Sequence, residues 1–398
     1  MALKILHTAD WHLGQTFYSY ERHDEHEAFL SWLCGQLVAQ RADVLLIAGD
    51  VFDTPNPSAL SQRLFYRFLR RATEENRALQ IVVIAGNHDS AARLEAPDPL
   101  FEEMRVVVRG LVRRTPAGDI DLDRLIVPLG HALHPEAYCL AVPFLRQGDY
   151  PRAENYGQGV AALYRALCER ASRLGKPLVA MGHLQATGAE VSENDRSERT
   201  VIGGLECVSP EAFDASLRYT ALGHLHRSQR VSRRENVRYA GAPIPMSFAE
   251  RNNRHGVVSV TLDGDSTAIE WLPFEPPVPL VSISGTSETI FESIAQLPRG
   301  EADAHAPYLE IKVRLTQPEP SLRRRIEEAL VGRRVRLARL APELPGQGAG
   351  GEAVAFADDW QEVSPMQIAR DHYQKIYQTE MPAEMTTLLQ QVMREAQP

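Results

Sequence analysis

Short apolar runs alternate with segments of helical periodicity over the first two-thirds of the chain. The early runs are apolar on both faces, as in residues 44–48 (VLLIA), which is typical of strands covered on both sides. We predict strands at residues 4–9, 44–49, 80–86, 137–144, 178–182, 219–223, 237–241, 256–262 and 268–272. The last two flank Asp263-Gly264-Asp265, a turn signal that predicts a β-hairpin.

Two of the intervening segments have the apolar spacing of amphipathic helices. Residues 24–40 place Phe29, Leu33 and Leu37 on one face, and residues 58–75 do the same with Leu64 and Phe68. Both are predicted to be crossover helices that pack on the sheet. The aromatic content of the second leaves a subunit interface as its alternative role.

A second region begins after Pro276, Pro277 and Pro279, which break the preceding pattern. It reads as βαβαβ, with strands at 280–284, 308–315 and 334–340 and helices at 288–297 and 319–331. A segment of this size can fold alone but gains stability by docking. We therefore predict a first domain at residues 1–275 and a small α+β domain at 276–341.

The Pro/Gly-rich residues 342–351 (PELPGQGAGG) predict a flexible linker, which we extend to residue 360. Beyond it, in a tail at 361–398, helices are predicted at 364–379 and 382–396, each with proline near its start. Two tethered amphipathic helices cannot form a core alone. They must pack back on this chain or dock on another, and the tether favours a partner.

Composition describes a soluble globular protein of two or three domains: 398 residues, 44% hydrophobic and 24% charged. No apolar run reaches the roughly 18 residues of a membrane span, so we expect no membrane association and a cytoplasmic location. The four cysteines form no CxxC pair, which argues against a disulfide framework or a thiolate zinc site. The net charge of −9 is unusual for a protein that binds nucleic acid unaided.

Polar motifs follow five of the predicted strands, at the ends where α/β sheets bind ligands. Each motif alone is a weak signal, but together they deliver carboxylate, amide and imidazole groups from five independent strand ends. The motifs are Asp10-Trp11-His12, Gly49-Asp50-Val51-Phe52-Asp53, Gly86-Asn87-His88-Asp89, Gly182-His183 and Gly223-His224-Leu225-His226.

These motifs hold more ligands than one ion needs. Two carboxylates, one amide and four imidazoles form a mixed oxygen and nitrogen set that suits Mn²⁺, Fe²⁺ or Zn²⁺. Two divalent ions sharing a carboxylate are the usual clamp for displacement at phosphorus. The predicted reaction is metal-assisted phosphoester hydrolysis, and the candidate ligands are Asp10, His12, Asp50, Asn87, His183, His224 and His226.

The same motifs resemble the signature of the calcineurin-like metallophosphoesterases. Within that superfamily, the stretches HTADWHLGQ, AGDVFDT, AGNHDS and ALGHLHRSQ are most similar to the SbcD-type nucleases. The similarity is strong over residues 1–275 and rests on element order beyond them. It implies a β-sandwich flanked by helices, a small α+β capping domain and a C-terminal helical tail.

The resemblance also implies roles for the residues. Asp10, His12 and His226 would hold one ion and Asn87, His183 and His224 the other, with Asp50 bridging them. The ions would typically be Mn²⁺. His88 would be a catalytic group and not a ligand, protonating the leaving alkoxide or stabilising the pentavalent phosphorus. Asp53 is our candidate for orienting His88 by a hydrogen bond.

Further implications concern partners and substrate. The tail would bind an SbcC-like SMC-type ATPase, the chain would form a homodimer, and the complex would act at the nucleoid. Its activities would be ATP-dependent double-strand DNA exonuclease and single-strand endonuclease, in DNA end and hairpin processing, replication, repair and recombination. Two alternatives remain: a calcineurin-like phosphoesterase that acts on a small molecule or phosphoprotein, and a mainly architectural protein that tethers DNA ends.

Seven arginines lie within residues 323–339 of the small domain. They fit contacts with DNA phosphates, and they fit a solvated helix face nearly as well. Because the net charge is negative, we expect this chain to bind DNA poorly alone. Positive charge would come from the bound ions, from these arginines and from a second subunit.

Overall fold

The computed structural model of the chain describes residues 2–131, 133–189, 207–315, 319 and 321–343. Both predicted tail helices, and the predicted linker beyond Glu343, lie outside the described residues. Among the helices that it does describe, none has the length and hydrophobicity that a membrane crossing requires.

The elements alternate along the chain much as the apolar pattern predicts. The strands are β1 (Leu3–Thr8), β2 (Thr16–Phe17), β3 (Tyr20–Glu21), β4 (Val44–Ala48), β5 (Gln80–Ile84), β6 (Val106–Arg109), β7 (Ile126–His131), β8 (His134–Ala141), β9 (Leu178–His183), β10 (Leu217–Gly223), β11 (Gln229–Val231), β12 (Arg234–Tyr239), β13 (Gly256–Asp263), β14 (Ser266–Pro273), β15 (Leu280–Thr286), β16 (Tyr308–Arg314) and β17 (Arg336–Glu343). The helices are α1 (His23–Ala39), α2 (Ala59–Glu75), α3 (Ala91–Glu95), α4 (Asp98–Phe101), α5 (Leu122–Leu125), α6 (Tyr156–Ser172), α7 (Ser287–Gln296) and α8 (Leu322–Leu330). Short 3₁₀ helices lie at Glu102–Met104, Pro210–Ala212 and Phe248–Asn252.

One six-stranded sheet has the order β14-β13-β1-β4-β5-β6. Strands β1, β4, β5 and β6 run parallel, and β13 pairs antiparallel with β1. Every residue of β4 and β5 is buried, because Leu45 and Ile81 face α1 and α2 while Leu46 and Val82 face the second sheet. The continuous apolar runs therefore correspond to strands covered on both sides, as predicted.

The second six-stranded sheet has the order β11-β12-β10-β9-β8-β7. Its strands β8, β9, β10 and β12 are parallel, and β7 and β11 are antiparallel edges. Helix α6 covers the outer face with Leu163, Tyr164 and Leu167. The helix begins at Tyr156 and is capped by Asn155, whose side chain accepts a hydrogen bond from the Gln158 backbone N–H at 2.9 Å.

The two sheets pack face to face around a shared apolar core. Its members from the first sheet include Ile5, Leu46 and Val82, and those from the second include Met181 and Ala221. Burying each of the larger side chains, such as Ile5, Leu46 or Met181, contributes about 1.5–3 kcal/mol. The result is a β-sandwich with helices on its outer faces, which confirms the predicted fold class.

A separate three-stranded sheet, β15-β16-β17, carries helices α7 and α8. The predicted βαβαβ order is confirmed, although α8 begins three residues later than expected.

The arginines within residues 323–339 differ in exposure. Arg336 is only 9% exposed and lies 4.0 Å over the ring of Tyr308, so its interpretation as a phosphate contact is wrong. Arg323 remains exposed, one turn from Glu327.

Candidate metal centre

The polar motifs converge at one edge of the sandwich, as predicted from their strand-end positions. The backbone N–H of Asp10 donates to the Gly49 oxygen at 3.1 Å, and His12 N–H donates to the Asp50 oxygen at 3.0 Å. The second sheet joins them through His224, whose N–H donates to Asp10 Oδ1 at 2.9 Å. All seven candidate ligands therefore lie together, drawn from the ends of β1, β4, β5, β9 and β10.

Backbone strain is concentrated among these residues. Asp10, His12 and Asp50 have φ values of 54°, 46° and 47°, in the left-handed region that non-glycine residues seldom occupy. Such conformations cost about 1–3 kcal/mol each and persist where surrounding structure enforces them. A glycine is required close by, because a Cβ on Gly86 would overlap the Asp50 carboxylate.

One set of ligand atoms, which we call the first group, comprises Asp10, His12 and His226. Their ligand atoms lie within 4.8 Å of one another, and all three side chains are buried. Asp10 Oδ2 has no hydrogen-bond donor among the described residues. An uncompensated buried carboxylate oxygen is costly, and a divalent cation is the partner that fits it.

A second set, the second group, comprises Asn87, His183 and His224. Asn87 Oδ1 lies 2.9 Å from His183 Nε2 and 3.0 Å from His224 Nδ1. Asp50 reaches both groups: its Oδ2 is 3.1 Å from His183 Nε2 and 3.7 Å from His12 Nε2. This position fits the bridging role that we expect for Asp50.

The imidazoles are oriented by hydrogen bonds to their other ring nitrogen, as metal-binding histidines usually are. His183 Nδ1 lies 2.9 Å from the backbone oxygen of Ala48. In the first group the acceptors are carboxylates, with Asp53 Oδ1 3.2 Å from His12 Nδ1 and Glu250 Oε1 3.3 Å from His226 Nδ1. Each arrangement directs Nε2 toward the neighbouring ligands.

Burial raises the pKa of Asp10 to about 7. Burial alone would also raise the pKa of Asp50 and lower that of His183. Contact between the two reverses both effects, so the pKa of Asp50 falls below its usual range and that of His183 rises to about 10. Imidazolium charge thus compensates the buried carboxylates, and a bound cation would take over that task.

His88 lies beside the ligands but is less buried than Asp50 or His12. Its backbone N–H donates to Asp50 Oδ1 at 2.9 Å, and its Nδ1 lies 2.9 Å from the Asp53 backbone oxygen. Asp53 thus contacts His88 through its carbonyl, whereas its carboxylate lies at His12. A ring nitrogen of His88 also lies within 4.8 Å of ligand atoms of His12 and Asp50, close enough for the three to share an ion.

Two residues support the site through hydrogen bonds, although the motif analysis assigned them no role. Asp89 accepts backbone hydrogen bonds from Val51, Phe52 and Gly86 at 2.9–3.2 Å, which ties the loop after β4 to the loop after β5. Its position inside the Gly86–Asp89 motif was the available signal. Glu250 lies 24 residues from His226, and no local pattern marks it.

Comparison with known proteins identifies the family. Residues 3–228 match the family model of the calcineurin-like phosphoesterases, and residues 276–377 match a model described as the type 5 capsule protein repressor C-terminal domain. The SbcD subunit of the SbcCD nuclease from Rhodobacter capsulatus is 40% identical over 361 residues, covering 86% of this chain and 88% of that protein. The Escherichia coli K12 protein of the same name is 32% identical, covering 80% and 79%.

Among solved structures, a dimetal phosphatase from Danio rerio is 12% identical with a TM-score of 0.40, over 68% of this chain and 96% of that one. A putative 5′-nucleotidase from Staphylococcus aureus is 14% identical with a TM-score of 0.39, over 69% and 54%. The family model and the curated relatives confirm the resemblance found in the motifs. The chain therefore belongs to the calcineurin-like phosphoesterases, in the family of the SbcD nuclease subunits.

Proposed function

We propose that this chain is the nuclease subunit of an SbcCD-type complex and hydrolyses DNA phosphodiester bonds at a centre of two divalent ions. The observation that carries the proposal is the convergence of the seven candidate oxygen and nitrogen ligands in one cluster, at the strand ends of a fold whose relatives are named as nuclease subunits. The expected ion is Mn²⁺, which suits this mixed ligand set.

The chain's own residues divide the work. The first group and Asp50 would hold one ion, and the second group and Asp50 the other. When bound, two such ions polarise the phosphate and lower the pKa of a water from about 15.7 toward 7. Because Asp10, Asp50 and His183 are buried, they would exclude bulk water from one side of a phosphate bound there.

His88 is proposed to supply the proton that the leaving oxygen requires. A hydrogen bond from Nδ1 to the Asp53 carbonyl at 2.9 Å orients the ring, so Nε2 is the nitrogen that would deliver the proton. The P–O bond breaks as that proton reaches the departing alkoxide, and the imidazole is reprotonated from solvent. The lower burial of His88 supports a role at the mouth of the site, where DNA enters.

The partner is proposed to be an SbcC-like SMC-type ATPase that binds the tail at residues 361–398. The match of residues 276–377 to the C-terminal family model supports this, because it extends into the tail. The same complex would have ATP-dependent double-strand exonuclease and single-strand endonuclease activity. The net charge of −9 supports a need for the partner in DNA binding.

A homodimer is proposed through the outer face of α2. The inner face of this helix packs into the core with Phe65 and Phe68, while Leu60 and Tyr66 on the outer face are 46% and 37% exposed. A shallow surface cavity beside Tyr66 is lined by Arg63, Arg67 and Arg70. Core packing and subunit contact therefore use different faces of the helix.

The test compares the full chain with a chain ending at residue 343, both expressed with the ATPase partner. We expect the full chain, but not the shortened one, to retain the partner and to degrade linear duplex DNA with Mn²⁺ and ATP. p-Nitrophenyl phosphate and a phosphopeptide serve as control substrates. Turnover of those two without DNA cleavage would identify a phosphatase and contradict the proposal.

A further inference from the structure

Glu250 is a buried carboxylate outside the five motifs that contacts one of their imidazoles. The residue is 2% exposed, and its Oε1 lies 3.3 Å from His226 Nδ1. Its other oxygen, Oε2, accepts the Met246 backbone N–H at 2.9 Å. Both oxygens are thus engaged, and Glu250 links the orientation of His226 to the backbone that precedes the short helix Phe248–Asn252.

Arg22 forms a hydrogen bond to the same stretch of backbone, at Pro245. Its Nη1 donates to the Pro245 oxygen at 2.7 Å and to Gln15 Oε1 at 2.9 Å. The Gln15 backbone N–H in turn donates to the His12 oxygen at 2.9 Å. Arg22 is 2% exposed. One buried guanidinium therefore touches both the segment that leads to Glu250 and the segment that follows His12.

The three-stranded sheet reaches the same guanidinium through Glu25. Arg22 forms a two-pronged pair with the Glu25 carboxylate at 2.9 and 2.7 Å, and Tyr308 at the start of β16 donates its hydroxyl to Glu25 Oε1 at 2.9 Å. We call Arg22, Glu25 and Tyr308 the docking network.

Apolar packing follows the same route. Tyr308 shares a small core with Phe17, Phe248 and Val278. Phe248 lies on the 3₁₀ helix that carries Glu250, so the surface on which the sheet docks and the helix that orients His226 are one packed unit. A shift of the sheet would be felt by this helix, because close-packed interiors transmit displacement.

We propose that Glu250 is a positioning residue for His226, and that the docking network makes ion binding by the first group depend on how the three-stranded sheet is seated. The inference rests on the proposed function, since it takes His226 as a ligand. The second group should be insensitive, because His183 is oriented by the Ala48 backbone oxygen. The position of the three-stranded sheet would thereby set the affinity for the ion of the first group and leave the affinity for the other ion unchanged.

The test is a titration of the chelator-treated full chain with Mn²⁺, in which free ion is followed by electron paramagnetic resonance and fitted to two sites. Glu250→Gln keeps the shape of the side chain but removes its charge. It should lower the affinity for the ion of the first group by about 10–100-fold, the usual range for such supporting residues. Tyr308→Phe removes one hydroxyl and should weaken the same ion by a smaller factor. The other ion should keep wild-type affinity in both variants.

Tyr20→Phe is the matched control for the network. Tyr20 donates its hydroxyl to the Leu337 oxygen at 3.2 Å, another contact with the sheet that bypasses Arg22, and its loss should change neither ion. Circular dichroism and thermal melting show that each variant is folded. Wild-type affinity for both ions in Glu250→Gln would overturn the positioning role, and equal effects of Tyr308→Phe and Tyr20→Phe would overturn the docking network as the route of the coupling. If the unmodified chain binds fewer than two ions, the proposed dinuclear centre fails first and this inference with it.

Discussion

The first and second groups hold their imidazoles in different ways. In the second group, His183 is the last residue of β9 and its ring is fixed by the Ala48 backbone oxygen at the end of β4. In the first group, His12 and His226 depend on the carboxylates of Asp53 and Glu250. A backbone carbonyl at a strand end accepts from His183 Nδ1, whereas side-chain carboxylates serve the corresponding nitrogens of His12 and His226. The two ion sites should therefore differ in their sensitivity to substitution and to domain docking.

The largest effect is expected where the two groups meet. Asp50→Ala should remove both ions, because Asp50 Oδ2 reaches His12 and His183 alike. Losing the metal contribution of several kcal/mol should lower the rate of DNA hydrolysis by about 10³-fold or more. Bound Mn²⁺ and nuclease activity are measured together. Retention of either ion at wild-type affinity would show that the groups do not share this residue.

His88→Ala should separate chemistry from ion binding in both groups. Removing a proton donor typically costs about 10²–10⁴-fold in rate, while Mn²⁺ content should stay at the wild-type level. His134→Ala, at an exposed position on β8, is the matched control and should change neither quantity. Loss of an ion in His88→Ala would mean that His88 is a ligand, as its distance to His12 and Asp50 permits.

Asp53→Asn should sharpen the difference between the groups. Removing the charge that orients His12 should lower the affinity for the ion of the first group by about 10–100-fold. Asn87→Ala should instead lower the affinity for the ion of the second group, because it deletes a candidate ligand atom. The two variants are compared by the same two-site titration. If both weaken the same ion, the division into two groups is wrong.

The smallest effect is expected from a change of one pH unit, from pH 7 to 8. In the metal-free protein, Asp10 has its pKa raised to about 7 and His183 to about 10. Below those values each group holds a proton that an ion must displace, so apparent Mn²⁺ affinity should rise with pH between 6 and 8. One displaced proton corresponds to about tenfold per pH unit. Calorimetry in buffers of different ionisation enthalpy counts the released protons, and a count of zero would contradict the assignment.

The convergence of the candidate ligands was predictable from sequence, because their positions follow from a simple rule. Asp10, Asp50 and Asn87 come directly after apolar runs, and parallel strands place such residues at one edge of a sheet. The family resemblance added the division of labour between the two groups. The two-sided burial of strands such as β4 could be predicted from their continuous apolar runs. The sandwich itself was implied by the family resemblance.

Glu250 was not predictable from the sequence, because a tertiary contact alone defines its role. Glu250 lies on a 3₁₀ helix too short to have a periodicity, and its partner is 24 residues away. Asp53 was expected to orient His88 by a hydrogen bond, and its carbonyl makes that contact, while its carboxylate lies at His12. Helix α6 was not predicted individually. Gly157 and Gly159 weaken its first turn as a helical pattern, and Gly159 is needed because a Cβ there would overlap Tyr150.

The central claim is that two ions share Asp50, and anomalous diffraction at the manganese edge tests it most directly. Crystals of the full chain grown with Mn²⁺ should show two peaks on either side of the Asp50 carboxylate. One should be held by Asp10, His12 and His226, and the other by Asn87, His183 and His224. A single peak, or a peak coordinated by His88 in place of His226, would contradict the account.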